Sequence, residues 1–209
     1  MCFAKLQAKA KSKAEPAMGE STAATWVIAG LGNPGAEYAH TRHNAGFDCL
    51  DLIAEDVRVR YWKAKDGAVY GEGTWHDVPV VLVKPQQFMN LSGGPVKAVM
   101  ARYKVKPDHL IVIHDEMDFE PGRVKVKFGG GLAGHNGLKS INEKLGTPEW
   151  FRVRIGIGKA PGRMEGADYV LSVPKGEAKE AHESGIDAAR GATLCLVDNG
   201  LEKTQQRYN

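Results

Sequence analysis

Cysteine is scarce in this 209-residue chain: only Cys2, Cys49 and Cys195 occur, far apart and with no CxxC pair. That excludes a disulfide framework and a zinc knuckle and fits a reducing compartment, so a cytoplasmic location is expected. No apolar run of about 18 residues or more is present, and the N-terminus carries lysines without the long apolar stretch of a secretion signal, so neither a membrane helix nor export is expected. A strong charge of one sign is missing too. The formal net charge is +3, and Lys5, Lys9, Lys11 and Lys13 against Glu15 and Glu20 supply +2 of it. An anionic partner must therefore meet a local basic patch, not a globally basic protein. No GxSxG elbow surrounds Ser92 or Ser172, no cysteine sits in a nucleophile motif, and His40, His43, His114 and His135 lack HExxH or Cys/His spacing. Covalent catalysis and a zinc site are both unsupported, and neither metal nor cofactor is expected.

What is present suffices for one ordinary core. Residues 1–14 contain no acid and no arginine; residues 1–25 are expected to be a disordered tail, with residues 26–209 forming the domain. Trp26-Val27-Ile28-Ala29 reads as a buried strand running into Gly30-Leu31-Gly32-Asn33-Pro34-Gly35. Phe47, Leu50, Ile53, Ala54 and Val57 then recur at helical spacing, with Asn44 as the expected N-cap. Residues 69–75 and 78–83 read as an antiparallel hairpin turning at His76-Asp77. A helix with Val96, Val99, Met100 and Tyr103 on one face follows, expected to be capped by Ser92. Leu110-Ile111-Val112-Ile113 is the run of a central strand covered on both faces, and it ends in His114-Asp115-Glu116-Met117-Asp118. Val124, Val126 and Phe128 alternate with Lys125 and Lys127, and Val153, Ile155 and Ile157 with Arg152 and Arg154. Between these strands, His135-Asn136 opens a helix that Gly146 stops; a last helix is expected from Glu177 to about Val197, with Gly200 as its stop signal. The order points to a single three-layer α/β domain, a twisted mixed β-sheet with helices on both faces.

Gly30-x-Gly32-x-x-Gly35 matches the dinucleotide-binding fingerprint only in letters. There the glycine turn opens straight into the helix that holds the pyrophosphate, whereas here the helix is delayed to about Asn44, and Asp51, where the ribose-binding acid would be sought, falls inside it. Polar residues nevertheless gather just past predicted strands: His43, Asp115, Asn33, Asn90 and Asn136. A carboxylate that orients an imidazole, an imidazole that takes a proton from water and amides that steady an oxyanion together suit hydrolysis. Lys125 and Lys127 on one strand face, with Arg154, could bind phosphate beside the Gly129–Gly134 loop.

Six motifs in order, Gly30-Leu-Gly-Asn-Pro-Gly-x-x-Tyr38, Thr41-Arg-His-Asn-Ala-Gly46, Phe88-Met-Asn-Leu-Ser-Gly93, His114-Asp-Glu-Met-Asp118, Gly129-Gly-Gly-x-x-Gly-His-Asn-Gly137 and Arg154-Ile-Gly-Ile-Gly158, resemble those of the bacterial-type peptidyl-tRNA hydrolase family, over about residues 26–209. The resemblance implies a monomeric, cofactor-free esterase that cuts peptide from the tRNA 3′ ribose and recycles tRNA from aborted translation. It implies His43 as general base and Asp115 as its orienting partner, Asn33 and Asn90 on the peptide or ester carbonyl, and Asn136 on water and the acceptor end. Tyr38, Met89 and His135 would line the cleft, and Lys127 and Arg154 would hold tRNA phosphates. Leu132-Ala133 stand where some relatives carry a histidine, and the tail before Trp26 lies outside the pattern. A non-catalytic RNA-binding module on the same scaffold is the alternative.

Overall fold

The apolar run at Trp26–Gly30 forms β1, and alternation along it sets the layering. Ile28 packs on one side of the sheet with Leu50, Ile53, Ile111 and Ile113; Val27 and Ala29 pack on the other with Val96, Val99, Leu110 and Val112. A strand buried on both faces requires a helical layer on each side. The computed structural model describes residues 24–209, so the expected tail, residues 1–25, lies almost entirely outside the described residues.

After β1 come α1 (Ala45–Asp56), β2 (Trp62–Lys65), β3 (Ala68–Trp75), β4 (Val78–Pro85), α2 (Gly93–Arg102), β5 (Leu110–Glu116), β6 (Val124–Phe128), α3 (Asn136–Leu145), β7 (Phe151–Gly156), the short α4 (Gly166–Val170) and α5 (Glu177–Tyr208). The seven strands lie in the order β2-β3-β4-β1-β5-β7-β6. β1 is parallel to β4 and β5, and β5 to β7; the β2–β3, β3–β4 and β6–β7 pairs are antiparallel. α1 and α5 cover one face, α2 and α3 the other. The mixed three-layer α/β architecture read from the sequence is the one observed. Among the described residues no helix is long and apolar enough to cross a membrane.

From β1 the chain first builds the β2–β4 side of the sheet and then returns to place β5 on β1's other edge. At such a switch point the loops leaving the strand ends diverge and open a crevice. α1 closes tightly over one side of it because two glycines meet there. A Cβ on Gly30 would lie 2.2 Å from Gly46 O, and one on Gly46 would lie 2.3 Å from Leu31 N and 2.5 Å from Ile113 O. The helix start is thereby pressed onto the strand ends that carry the polar motifs.

Several local expectations need correction. Asn44 and Ser92 do precede α1 and α2, but neither side chain caps its helix. Each helix is preceded by a 3-10 turn, Arg42–Asn44 and Met89–Leu91; Ser92 Oγ donates back to Met89 O at 2.8 Å, and Asn44 turns to Asn33, as described below. Gly200 breaks the last helix, at φ 75° and ψ −178°, yet the helix resumes and reaches Tyr208. Tertiary contacts hold the resumed turns. Gln205 Nε2 donates to Val126 O, and the Asn209 side chain accepts from Val126 N–H and donates to Val126 O, covering backbone groups on the edge strand β6. Such a short helix has little stability of its own and little local signal. The expected hairpin is present, with Trp75 opposite Val78, and both turn residues, His76 (φ 43°) and Asp77 (φ 67°), adopt the left-handed conformation that a two-residue turn of this kind demands.

Gly46→Ala is expected to lower the unfolding free energy by about 3 kcal/mol, the upper end for overpacking, even though alanine gains roughly 1 kcal/mol in helix propensity. Urea titration measures it; an unchanged midpoint would mean that the α1 contact yields.

Candidate active site

The crevice is a cleft of about 770 Å³ lined by residues from every motif that follows a strand, among them Asn33, His43, Met89, Asn90, Asp115 and Asn136. A second depression, of about 850 Å³, lies at the far edge against Arg58, Arg60, Tyr61 and Trp75; none of the expected site residues lines it.

His43 sits in the 3-10 turn ahead of α1, and Asp115 is the penultimate residue of β5. The His43 Nδ1–H donates to Asp115 Oδ1 at 2.9 Å, because an ionised carboxylate can only accept. Nε2 is left with its lone pair. Burial pushes the His43 imidazolium toward deprotonation, but the Asp115 charge and hydrogen bond outweigh it, so the His43 pKa is raised above its ordinary value of 6.5. Burial pushes Asp115 toward protonation; the electrostatic attraction of the His43 and His135 rings and the hydrogen bonds they donate prevail and hold its carboxyl well below the usual range.

His135 goes beyond the lining role expected of it. It is the N-cap of α3, its Nδ1 accepting from Gly137 N–H at 3.1 Å and Leu138 N–H at 3.4 Å. With Nδ1 accepting, Nε2 must carry the hydrogen of the neutral ring, and it donates to Asp115 Oδ1 at 3.1 Å. One carboxylate oxygen therefore receives two imidazole N–H groups. His43, Asp115 and His135 bring ligand atoms within 4.8 Å of one another, but the Nε2 atom that His135 turns to Asp115 has no lone pair to give a metal ion in this tautomer.

Asn33, Asn44 and Met89 form a relay that fixes the amide edge of the cleft. Asn44 Oδ1 accepts from Asn33 N–H at 2.9 Å, and Asn44 Nδ2 donates to Asn33 O at 3.0 Å. Asn33 Oδ1 in turn accepts from Met89 N–H at 2.7 Å. The Asn33 amide is thus oriented by the backbone, with its Nδ2 donors uncommitted among the described residues. Asn90 and Asn136 are exposed on the cleft wall. Tyr38 meets Phe88 edge to face, with ring centroids 6.3 Å apart, and both line the same cleft.

The expected basic patch is brought together by strand register. Lys125 pairs with Arg154 and Lys127 with Arg152 across β6–β7, so all four side chains share one sheet face. They are not equivalent. Arg154 bonds Glu116 Oε2 through Nε at 3.2 Å and Nη2 at 3.0 Å, and lies over Phe119. Arg152 is buried and donates to the carbonyls of Gly130 and Gly131, at 2.5 Å for Gly131, which ties down the loop leading to His135. Neither Lys125 nor Lys127 belongs to an ion pair among the described residues. Burial, then Arg152 and Arg154, pushes the Lys127 ammonium down, a local excess of positive charge that an anion would relieve.

The sequence reading missed Asn44 as a clamp, Arg152 as a loop anchor and Glu116 as the partner of Arg154. Asn44 had a visible signal, its place directly after His43, but it was absorbed by the capping reading. The other two depend on cross-strand proximity, which a sequence does not display.

A buried carboxylate holds an imidazole whose second nitrogen has no partner among the described residues, in an amide-lined cleft at the switch point of a mixed sheet: an α/β protein with a set of groups suited to hydrolysis. Comparison with known proteins makes this specific. The family model for peptidyl-tRNA hydrolase matches residues 27–209. A peptidyl-tRNA hydrolase of Frankia alni is 45% identical over 184 residues, covering 88% of this chain and 93% of the relative; one of Streptomyces coelicolor is 45% identical over 192 residues, covering 89% and 96%. The crystal structure of peptidyl-tRNA hydrolase from Acinetobacter baumannii superposes with a TM-score of 0.83 at 33% identity, covering 91% and 97%. The chain belongs to the peptidyl-tRNA hydrolase family. A purine nucleoside phosphorylase of Toxoplasma gondii, at 11% identity and a TM-score of 0.51, shares the fold alone.

The electrostatics of the His43–Asp115 pair can be tested by NMR titration of the imidazoles. His43 should titrate above 6.5 in the native protein, and in Asp115→Asn, where burial persists without the countercharge, below it. The neutral form, the one able to accept a proton, then spans a wider pH range in the variant. Unchanged titration would show that Asp115 does not set the His43 charge.

Proposed function

We propose that this protein hydrolyses the ester between the peptide and the ribose of peptidyl-tRNA, freeing tRNA from abandoned translation, in the cytoplasm, as a monomer and without a metal. The observation that carries the reading is the His43 Nδ1–H bonded to buried Asp115 at 2.9 Å, which leaves Nε2 as a base in a cleft lined by three asparagines. In this reading His43 Nε2 takes a proton from water as the water oxygen attacks the ester carbonyl carbon. The carbonyl π pair moves onto oxygen, and donors from Asn33 and Asn90 meet the oxyanion. Asn136 holds the water and the acceptor end. Collapse of the intermediate breaks the bond to the ribose oxygen, which takes the proton held by His43; the new peptide acid gives its remaining proton to solvent, leaving a peptide carboxylate and a free tRNA hydroxyl.

The metal-free reading is supported by the tautomer that α3 imposes on His135. Tyr38 and Met89 fit the peptide side of the cleft. Lys125 and Lys127 fit tRNA phosphates, and Arg154, already held by Glu116, contributes to the field of the patch more than as a free hand. A binding-only role is not favoured, because His43, Asp115 and the amides are all present and mutually oriented.

Two experiments test this. Purified protein should release the acyl group from N-blocked aminoacyl-tRNA, and His43→Ala should slow release by ~10²–10⁴-fold with an unchanged circular dichroism spectrum; full activity in the variant would overturn the mechanism. Lys127→Ala should weaken tRNA binding and reduce the slope of log affinity against log salt by about 1. An unchanged slope would leave the patch a solvated face.

A further inference from the structure

His114 is a buried titratable group that the proposed chemistry does not use. It is 1% exposed, on the face of β5 opposite Asp115, and its Nδ1–H donates to the carbonyl of Asp115 at 2.7 Å. Its ring packs edge to face against His135, with centroids 5.0 Å apart and planes at 73°. His135 in turn lies 5.1 Å from the His43 ring. Three imidazoles are thus in series, and Asp115 is tied to each: by its side chain to His43 and His135, by its main chain to His114.

We infer that His114 is a positioning residue, one that holds the Asp115 peptide and the His135 ring so that Asp115 Oδ1 meets both imidazole N–H groups at once. The inference rests on the hydrolytic reading above for its effect on rate, and on geometry alone for its effect on the cluster. Its strongest support is a cost. His114 Nε2 is buried and, among the described residues, has no hydrogen-bond partner, an expense that phenylalanine, filling nearly the same volume, would avoid. A ring kept only for packing would not need a polar atom there. What histidine adds is the Nδ1–H on the Asp115 carbonyl, which fixes the rotation of its own ring and so the edge it presents to His135. The surroundings keep the ring neutral: burial first, then His135, then Arg152 from β7 oppose a positive charge, against the attraction of Asp115.

The test uses two variants that separate ring from donor. His114→Phe keeps the packing and removes the N–H; His114→Asn removes most of the ring and keeps a donor near the Nδ1 position. His114→Phe is expected to fold with an unchanged or higher melting temperature, to lose kcat by on the order of tenfold or more, the scale of a slightly misplaced catalytic group, and to leave KM unchanged. His114→Asn should recover most of that loss. In the native protein, ¹⁵N NMR of the histidine side chains should show a protected Nδ1–H on His114 and Nε2–H on His135, and the His135 signal should exchange faster in His114→Phe. Native kcat in His114→Phe, no recovery in His114→Asn, or a native His114 carrying its hydrogen on Nε2 would each overturn the inference. If the native protein releases no acyl group, the hydrolytic reading fails while the NMR measurement still decides the positioning role.

Discussion

A single buried carboxylate oxygen, Asp115 Oδ1, accepts hydrogen bonds from two imidazoles that arrive on different elements. An isolated carboxylate at that depth would protonate, because burial penalises charge heavily. Two N–H donors and their partial positive charge reverse the balance and keep it ionised. The constraint reaches outward: the end of β5 must lie between the turn that begins α1 and the cap that begins α3. Gly30 and Gly46 allow the first approach, and the glycine run anchored by Arg152 sets the second. Much of the sheet order serves to bring these three chain ends to one point.

The same economy appears around the amides. Asn44 is spent entirely on the Asn33 backbone, and Asn33 gives one of its two polar atoms to Met89. Side chains that look available in a sequence are in fact committed to holding others. Among the described residues His43 Nε2 and the Asn33 amide donors stay uncommitted, and the proposed reaction uses both. Preorganisation of this kind lets donors act without reorganising as charge develops. On the basic face Arg154 and Arg152 likewise hold protein groups, whereas among the described residues Lys125 and Lys127 form no ion pair with a carboxylate.

Much of the fold was legible because its signals are local. The apolar run at residues 110–113 and the alternation at 124–128 and 151–157 state period and burial directly, and the His76-Asp77 turn announces its hairpin. The errors came where tertiary contact overrode local preference. Asn44 and Ser92 have the chemistry of caps, but a preceding 3-10 turn changed what their side chains could reach. The helix after Gly200 exists because Gln205 and Asn209 dock on Val126, a contact nearly eighty residues away along the chain.

The sequence by itself determined the layered α/β class and the positions of the strands that carry polar residues at their ends, and it singled out His43, Asp115 and the asparagines as candidates, since periodicity and turn chemistry are properties of short segments. Only the tertiary structure decided that His135 shares the Asp115 oxygen, that Asn44 clamps Asn33, and that Arg154 is held by Glu116. These depend on which side-chain atoms converge when distant segments pack. Direction, distance and tautomer at such a point are set by all the partners together, and no one stretch of chain contains them.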